Sequence, residues 1–119
     1  MRNLLLVATV LYLTCGFPRT LEAVEFVRGD ATNDGVIDIS DGVSVLAFLF
    51  AGGPEPTCAD TADSNDSGEI DLSDAIHVFS FLFLGGRSIP APHPECGEDP
   101  TDDALACTSY GHCDTPPST

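Results

Sequence analysis

A twelve-residue acidic loop occurs twice in this chain, 33 residues apart, and each copy runs directly into an apolar stretch of the same length. The first copy is Asp30 to Asp41, DATNDGVIDISD; the second is Asp63 to Asp74, DSNDSGEIDLSD. Oxygen-bearing side chains fall at positions 1, 3, 5, 9 and 12 of both. In the first these are Asp30, Thr32, Asp34, Asp38 and Asp41; in the second, Asp63, Asn65, Ser67, Asp71 and Asp74. Gly35 and Gly68 stand at position 6, and Ile37 and Ile70 at position 8. A repeat of this kind restricts the chain to two copies of one loop-plus-helix unit.

The spacing is that of a loop that wraps oxygen ligands around one calcium ion. Alternate side chains converge on the ion, and the glycine supplies the φ > 0 turn that a Cβ would hinder. The carbonyls of Val36 and Glu69 fill position 7, while Ile37 and Ile70 point away from the metal and can pair with each other. Two calcium ions are therefore expected, one per loop. Thr32 and Ser67 stand where Asp or Asn is commoner, and Asp41 and Asp74 are shorter than Glu, which weakens each site.

Each loop also begins a helix. Asp38 is placed to cap the backbone N–H of Asp41, predicting a helix from about Ile39 to Ala51 that stops at Gly52-Gly53 before Pro54. Asp71 plays the same part for a helix from about Leu72 to Leu84, ended by Gly85-Gly86. Only nine residues separate Gly53 from Asp63, two of them proline, so no entering helix is expected to fit. At 100° per residue, Leu72, Ala75, Ile76, Val78, Phe79, Leu82 and Phe83 share one wide arc, which is expected to form the core with its counterpart in the first helix. Phe48 and Phe81 sit at equivalent places on the otherwise polar arcs, where a terminal segment or a protein partner would cover them. His77, on the same polar arc, reads as a surface or interface residue rather than a metal ligand.

The first residues carry Arg2, an apolar run from Leu4 to Leu13 and a polar stretch ending near Ala23, the pattern of a secretory signal peptide over 1–23. Its removal takes away two positive charges and one negative, so the net charge goes from −15 to −16. Such a chain does not hold nucleic acid or an anionic membrane surface by charge. No segment is long enough to span a bilayer. Nine of the acids lie inside the two loops, where they repel one another without a cation, so metal binding and folding are expected to be linked. Val24 to Gly29 is expected to enter as an extended segment covering the helices.

After residue 23 the cysteines are Cys58, Cys96, Cys107 and Cys113, an even set that in an exported chain predicts two disulfides of three alternative connectivities. From Ser88 onward the chain is rich in Pro, Asp and Thr, and is expected to be a stapled wrap without a regular core. His93, Cys96, Cys107, His112 and Cys113 fit no zinc-finger spacing.

The stretches RGDATNDGVIDISDGVSVLAFLFAGGPEPTC and ADSNDSGEIDLSDAIHVFSFLFLGGRSIPAPHPECGEDPTDDALAC, followed by TSYGHC, resemble a dockerin. More narrowly, they look like the dockerin-like modules of secreted planctomycete proteins. The resemblance implies a small all-α fold: two duplicated calcium loop–helix (F-hand) units packed antiparallel about a pseudo-twofold, with a disulfide-stapled irregular tail. The units would occupy 24–90 and the tail 91–119. It also implies docking to a protein partner of the cohesin kind, through Ile39 and Ser40 and their equivalents Leu72 and Ser73, in a secreted or cell-envelope setting. An accessory place in a polysaccharide-degrading system follows from the same resemblance; a static calcium binder without a cohesin is the plainer alternative. Catalysis by the chain itself is not expected. The acids converge on cations rather than flanking a sugar-sized cleft, and no nucleophile–base spacing occurs. A calcium sensor is not expected either, since it needs entering helices and a Met-rich groove.

Overall fold

The structure, a computed structural model, describes residues 23–113; the segment before Ala23, expected to be a signal peptide, and the last six residues lie outside the described part. Three helices and no strand occur among the described residues: α1 (Ile39–Phe50), α2 (Ala59–Ala62) and α3 (Leu72–Phe83). The starts of α1 and α3 are the same chemistry twice. Asp38 and Asp71 adopt extended backbone and accept hydrogen bonds from the amides of Ser40 and Ser73. Asp41 and Asp74 reach back to accept the amides of Asp38 and Asp71 at 2.8 Å, completing a capping box at each helix. The ends match too. Gly52 and Gly85 take φ of 68° and 62°, and the amides of Gly53 and Gly86 donate to the carbonyls of Ala47 and Ser80.

α1 and α3 pack against each other, with Val45, Ala62 and Ala75 buried and Leu46, Leu49, Ile70 and Phe79 half-buried around them. Gly42 lets the helices approach: a Cβ there would lie 2.3 Å from Cε1 of Phe79. The core is narrower than the apolar arc predicts. Ala75 and Val78 are buried and Phe79 and Leu82 partly so, but Leu72, Ile76 and Phe83 are exposed. Two helices can bury only facing stripes, and among the described residues no third long helix covers the remainder.

Several further expectations are corrected. One helical turn, α2, does fit ahead of the second loop, although a full helix does not. Ile37 and Ile70 do not bridge; the isolated bridges among the described residues are Phe26 with Gly97 and Cys58 with Cys107. The segment 24–29 packs on the tail rather than over the helices. Phe26, Cys58 and Tyr110 form a second buried cluster, ringed by Val24, Val27, Cys107 and Cys113. The tail therefore contributes core of its own, held by backbone bonds from Arg28 to Pro92, Ala59 to Ala106 and Thr108 to Thr57. The disulfides join Cys58 to Cys107 and Cys96 to Cys113, tying the tail to the chain before α2 and to itself. Two disulfides fit an oxidising, extracellular-type environment. Among the described residues no helix is long and apolar enough to cross a membrane.

Candidate metal centre

In the first loop the backbone curls around Asp30, with Asn33 at φ 58° and Gly35 at φ 84°. The amides of Asp34 and Gly35 donate to the two oxygens of Asp30 at 3.2 and 2.9 Å, and the hydroxyl of Tyr110 donates to Oδ2. Opposite stands Asp41, fixed in the first turn of α1, which accepts the amide and hydroxyl of Thr32 at 3.0 and 2.8 Å. Carboxylate oxygens of Asp30, Asp34 and Asp41 lie within 4.8 Å of one another. Asp38 is turned to its capping duty, bonded to the amide and hydroxyl of Ser40. Val36 is exposed; its amide donates to Asp34 at 3.0 Å.

The second loop repeats the curl, with Asp66 at φ 56° and Gly68 at φ 90°. The amides of Ser67 and Gly68 donate to Asp63 at 3.0 and 2.8 Å. Asp74 accepts the amide of Asn65, whose side chain donates to Ser73. The Ser67 hydroxyl donates to the carbonyl of Glu69 at 3.1 Å, and Asp71 caps α3. The acidic group that gathers here differs from the spacing's expectation: Asp63 meets Asp66 and, from the tail, Asp103.

Neutralising charge is scarce at both loops. Asp30, Asp41, Asp63 and Asp74 are buried. Burial pushes the Asp41 carboxyl up to about 6, against the pull of the Asp38 and Thr32 amides. Asp74 is pushed up to about 7, again mainly by burial, with the charges of Asp63 and Asp71 adding to it. Asp34, at the open rim, is held low by the amide of Val36. A buried carboxylate with a raised pKa, gathered with others within ligand distance as Asp41 is with Asp30 and Asp34, can take a hard cation in place of its proton. Oxygen donors alone favour calcium- or magnesium-like ions over zinc or copper.

Of the residues expected to meet a partner, Ile39, Ser40, Leu72 and Ser73 are exposed, Ile39 at 56 %. Phe48, His77 and Phe81 are only half-exposed. Phe81 is met edge-on by the ring of His93 at 5.3 Å, so the tail covers it. The sequence reading missed Arg28, Tyr110 and Asp103. Arg28 was the findable one: it is one of two cationic residues after Ala23 and stands two places before the first loop. Its side chain is fully buried.

In comparisons with known proteins, no family model, no curated protein and no solved structure matches the chain. The functional reading therefore rests on the loops themselves.

Proposed function

We propose that this chain is a secreted, calcium-binding, dockerin-like module that docks to a protein partner and has no catalytic role. In this reading two calcium ions occupy the two loops. Asp30, Thr32, Asp34, the Val36 carbonyl, Asp38 and Asp41 serve the first; Asp63, Asn65, Ser67, the Glu69 carbonyl, Asp71 and Asp74 serve the second. The observation that carries it is the twofold recurrence of one local geometry: buried position-1 and position-12 carboxylates, left-handed turns at positions 4 and 6, and a capping box fused to the loop. A surface turn that merely faces water has no reason to bury two carboxylates at each copy.

Docking is supported by a second recurrence. Ile39, Val43 and Phe50 on α1 are exposed, as are Leu72, Ile76 and Phe83 at the equivalent places of α3. Apolar side chains left in water at matched positions of both helices suit a partner domain, and burying each one contributes about 1.5–3 kcal/mol. The polar neighbours Ser40 and Ser73 supply hydrogen-bonding groups at the loop ends. A cohesin-like domain is the partner class that the sequence resemblance suggests, with a polysaccharide-processing or cell-surface assembly as the setting.

The test has two stages. Calcium titrated into chelator-treated protein should raise the melting temperature and saturate, and the loaded protein should then bind immobilised cohesin domains. Chelator should release it, and an Ile39→Glu/Leu72→Glu variant should fold, bind calcium and fail to dock. No thermal response to millimolar calcium removes the metal reading. Calcium binding without any cohesin capture leaves the static structural binder.

A further inference from the structure

Beside the second loop, whose Asp63 also meets Asp103, the carboxylates of Asp60, Asp99 and Asp103 come together, with one oxygen of each within 4.8 Å of the others. Asp60 lies in α2 and the other two in the tail. Asp60 is only 4 % exposed, and its Oδ1 is buried without a hydrogen-bond donor. An unpaired buried carboxylate oxygen facing two more carboxylates has no counterpart in ordinary packing, where such a group is hydrogen-bonded or paired with a cation.

The one nearby cation among the described residues does not solve this. Arg28 spends its side-chain N–H groups on the carbonyls of Ala91, Asp60 and Asp63 and on Asp99 Oδ1. It hydrogen-bonds the backbone of Asp60 and not its carboxylate, whose charge it offsets only from a distance. Donors are short among the tail acids as well. The Thr101 hydroxyl lies 2.6 Å from Asp66 Oδ1, 2.8 Å from Asp99 Oδ1 and 3.3 Å from Asp103 Oδ2, yet it has one proton to give. Burial, followed by the charge of Asp99, pushes the Asp60 carboxyl up to about 7.

The local sequence has a familiar form. Asp99, Thr101 and Asp103 reproduce the Asp-x-Thr-x-Asp spacing of Asp30, Thr32 and Asp34. A surface cavity of about 230 Å³, lined in part by Asp60, Glu98 and Asp99, gives an ion a way in from solvent.

We propose that Asp60, Asp99 and Asp103 form a third divalent-cation site, of the calcium class, which fastens the tail to α2. All the donors are carboxylate oxygens, with Asp99 and Asp103 partly open to water, which suits the irregular seven- or eight-fold shell of calcium better than a rigid octahedron. The ion would join the two chain segments already linked by Cys58–Cys107, two residues from Asp60 and four from Asp103. It would act as a reversible clasp beside a covalent one.

The test counts ions on the oxidised full chain, by native mass spectrometry and by calorimetric titration with calcium. Asp60→Asn keeps the shape of the side chain and should bind one ion fewer than the wild type, whatever the total. Equal counts in the two proteins overturn the proposal, and are the result expected if Asp60 and Asp99 instead share a proton. Amide hydrogen exchange on the wild type needs no variant. Calcium should slow exchange across 99–103 at least tenfold, and unchanged exchange there also overturns the site.

Discussion

Arg28 holds three parts of the molecule with one side chain: the tail at Ala91 and Asp99, the turn of α2 at Asp60, and the start of the second loop at Asp63. It also pairs with Asp66 at 3.5 Å and lies over the ring of Phe26 at 5.3 Å. A lysine cannot reproduce this planar set of donors. Arg28→Lys should therefore destabilise by about 3–5 kcal/mol, the scale for breaking a buried charge network, as read by urea unfolding in calcium. Gly42 is the other single residue on which the helix pair depends. Helix propensity favours alanine there by about 1 kcal/mol, but overpacking costs about 1–3 kcal/mol, and the Cβ would meet a ring held between two helices. Gly42→Ala should lower stability by up to about 2 kcal/mol. Gly111→Ala, where a Cβ meets nothing within 4 Å, should leave the melting temperature where it is. Arg28 stood out in the sequence as a rare cation, but its partners did not, nor did the contact of Gly42 with Phe79. Both involve residues tens of positions away, and periodicity marks a face without saying which residues on it touch.

At the scale of the element, each loop and its helix are one unit, because the carboxylate that closes the loop also caps the helix. That coupling sets a pH dependence for the metal-free protein. Asp41 and Asp74 titrate near 6 and 7 in the fold, above the usual carboxylate value of 3.8. Below pH 4 both are protonated, folded or unfolded, and cost nothing. As pH rises through 4 to 7 the unfolded chain loses these protons first, so stability falls, by about 1.4 kcal/mol for each unit of upward shift. In chelator the melting temperature should therefore decline from pH 4 to pH 7.5. With calcium the slope should reverse, since the metal binds the ionised form and releases the protons. A metal-free protein equally stable at both pH values would contradict this. The caps by Asp38 and Asp71 were legible, since they need only near neighbours; the return bonds, from the amides of Asp38 and Asp71 to the carboxylates of Asp41 and Asp74, were not read. The extent of the apolar face was legible, but not how much of it would be buried: Ile76 and Phe83 read as core and stand exposed.

At the scale of the molecule, the described residues form two small buried clusters in place of one large core, and crosslinks take up the difference. Closing the 49-residue span of Cys58–Cys107 lowers the entropy of the unfolded chain by about 4 kcal/mol at room temperature, against about 3 kcal/mol for the 17-residue span of Cys96–Cys113. The Cys58→Ser/Cys107→Ser double variant should lose more stability than Cys96→Ser/Cys113→Ser. It also opens the buried cluster of Phe26 and Tyr110, which widens the gap. Calcium should compensate in part. One ion at a hundred times its dissociation constant adds about 2.7 kcal/mol, so the reduced protein should unfold on adding chelator before the oxidised one does.

The sequence alone determined what depends on near neighbours: the loop curls, the caps, the helix stops and the four paired cysteines. These are decided within a dozen residues by donors, acceptors and backbone sterics. Only the tertiary structure decided which cysteines pair, that Tyr110 reaches Asp30 across 80 residues, that Arg28 is buried, and that Asp60 meets Asp99 and Asp103. The physical reason is the tail. Its path is set by burial and hydrogen bonding to segments far away in the chain, and residues of that kind show no period to read.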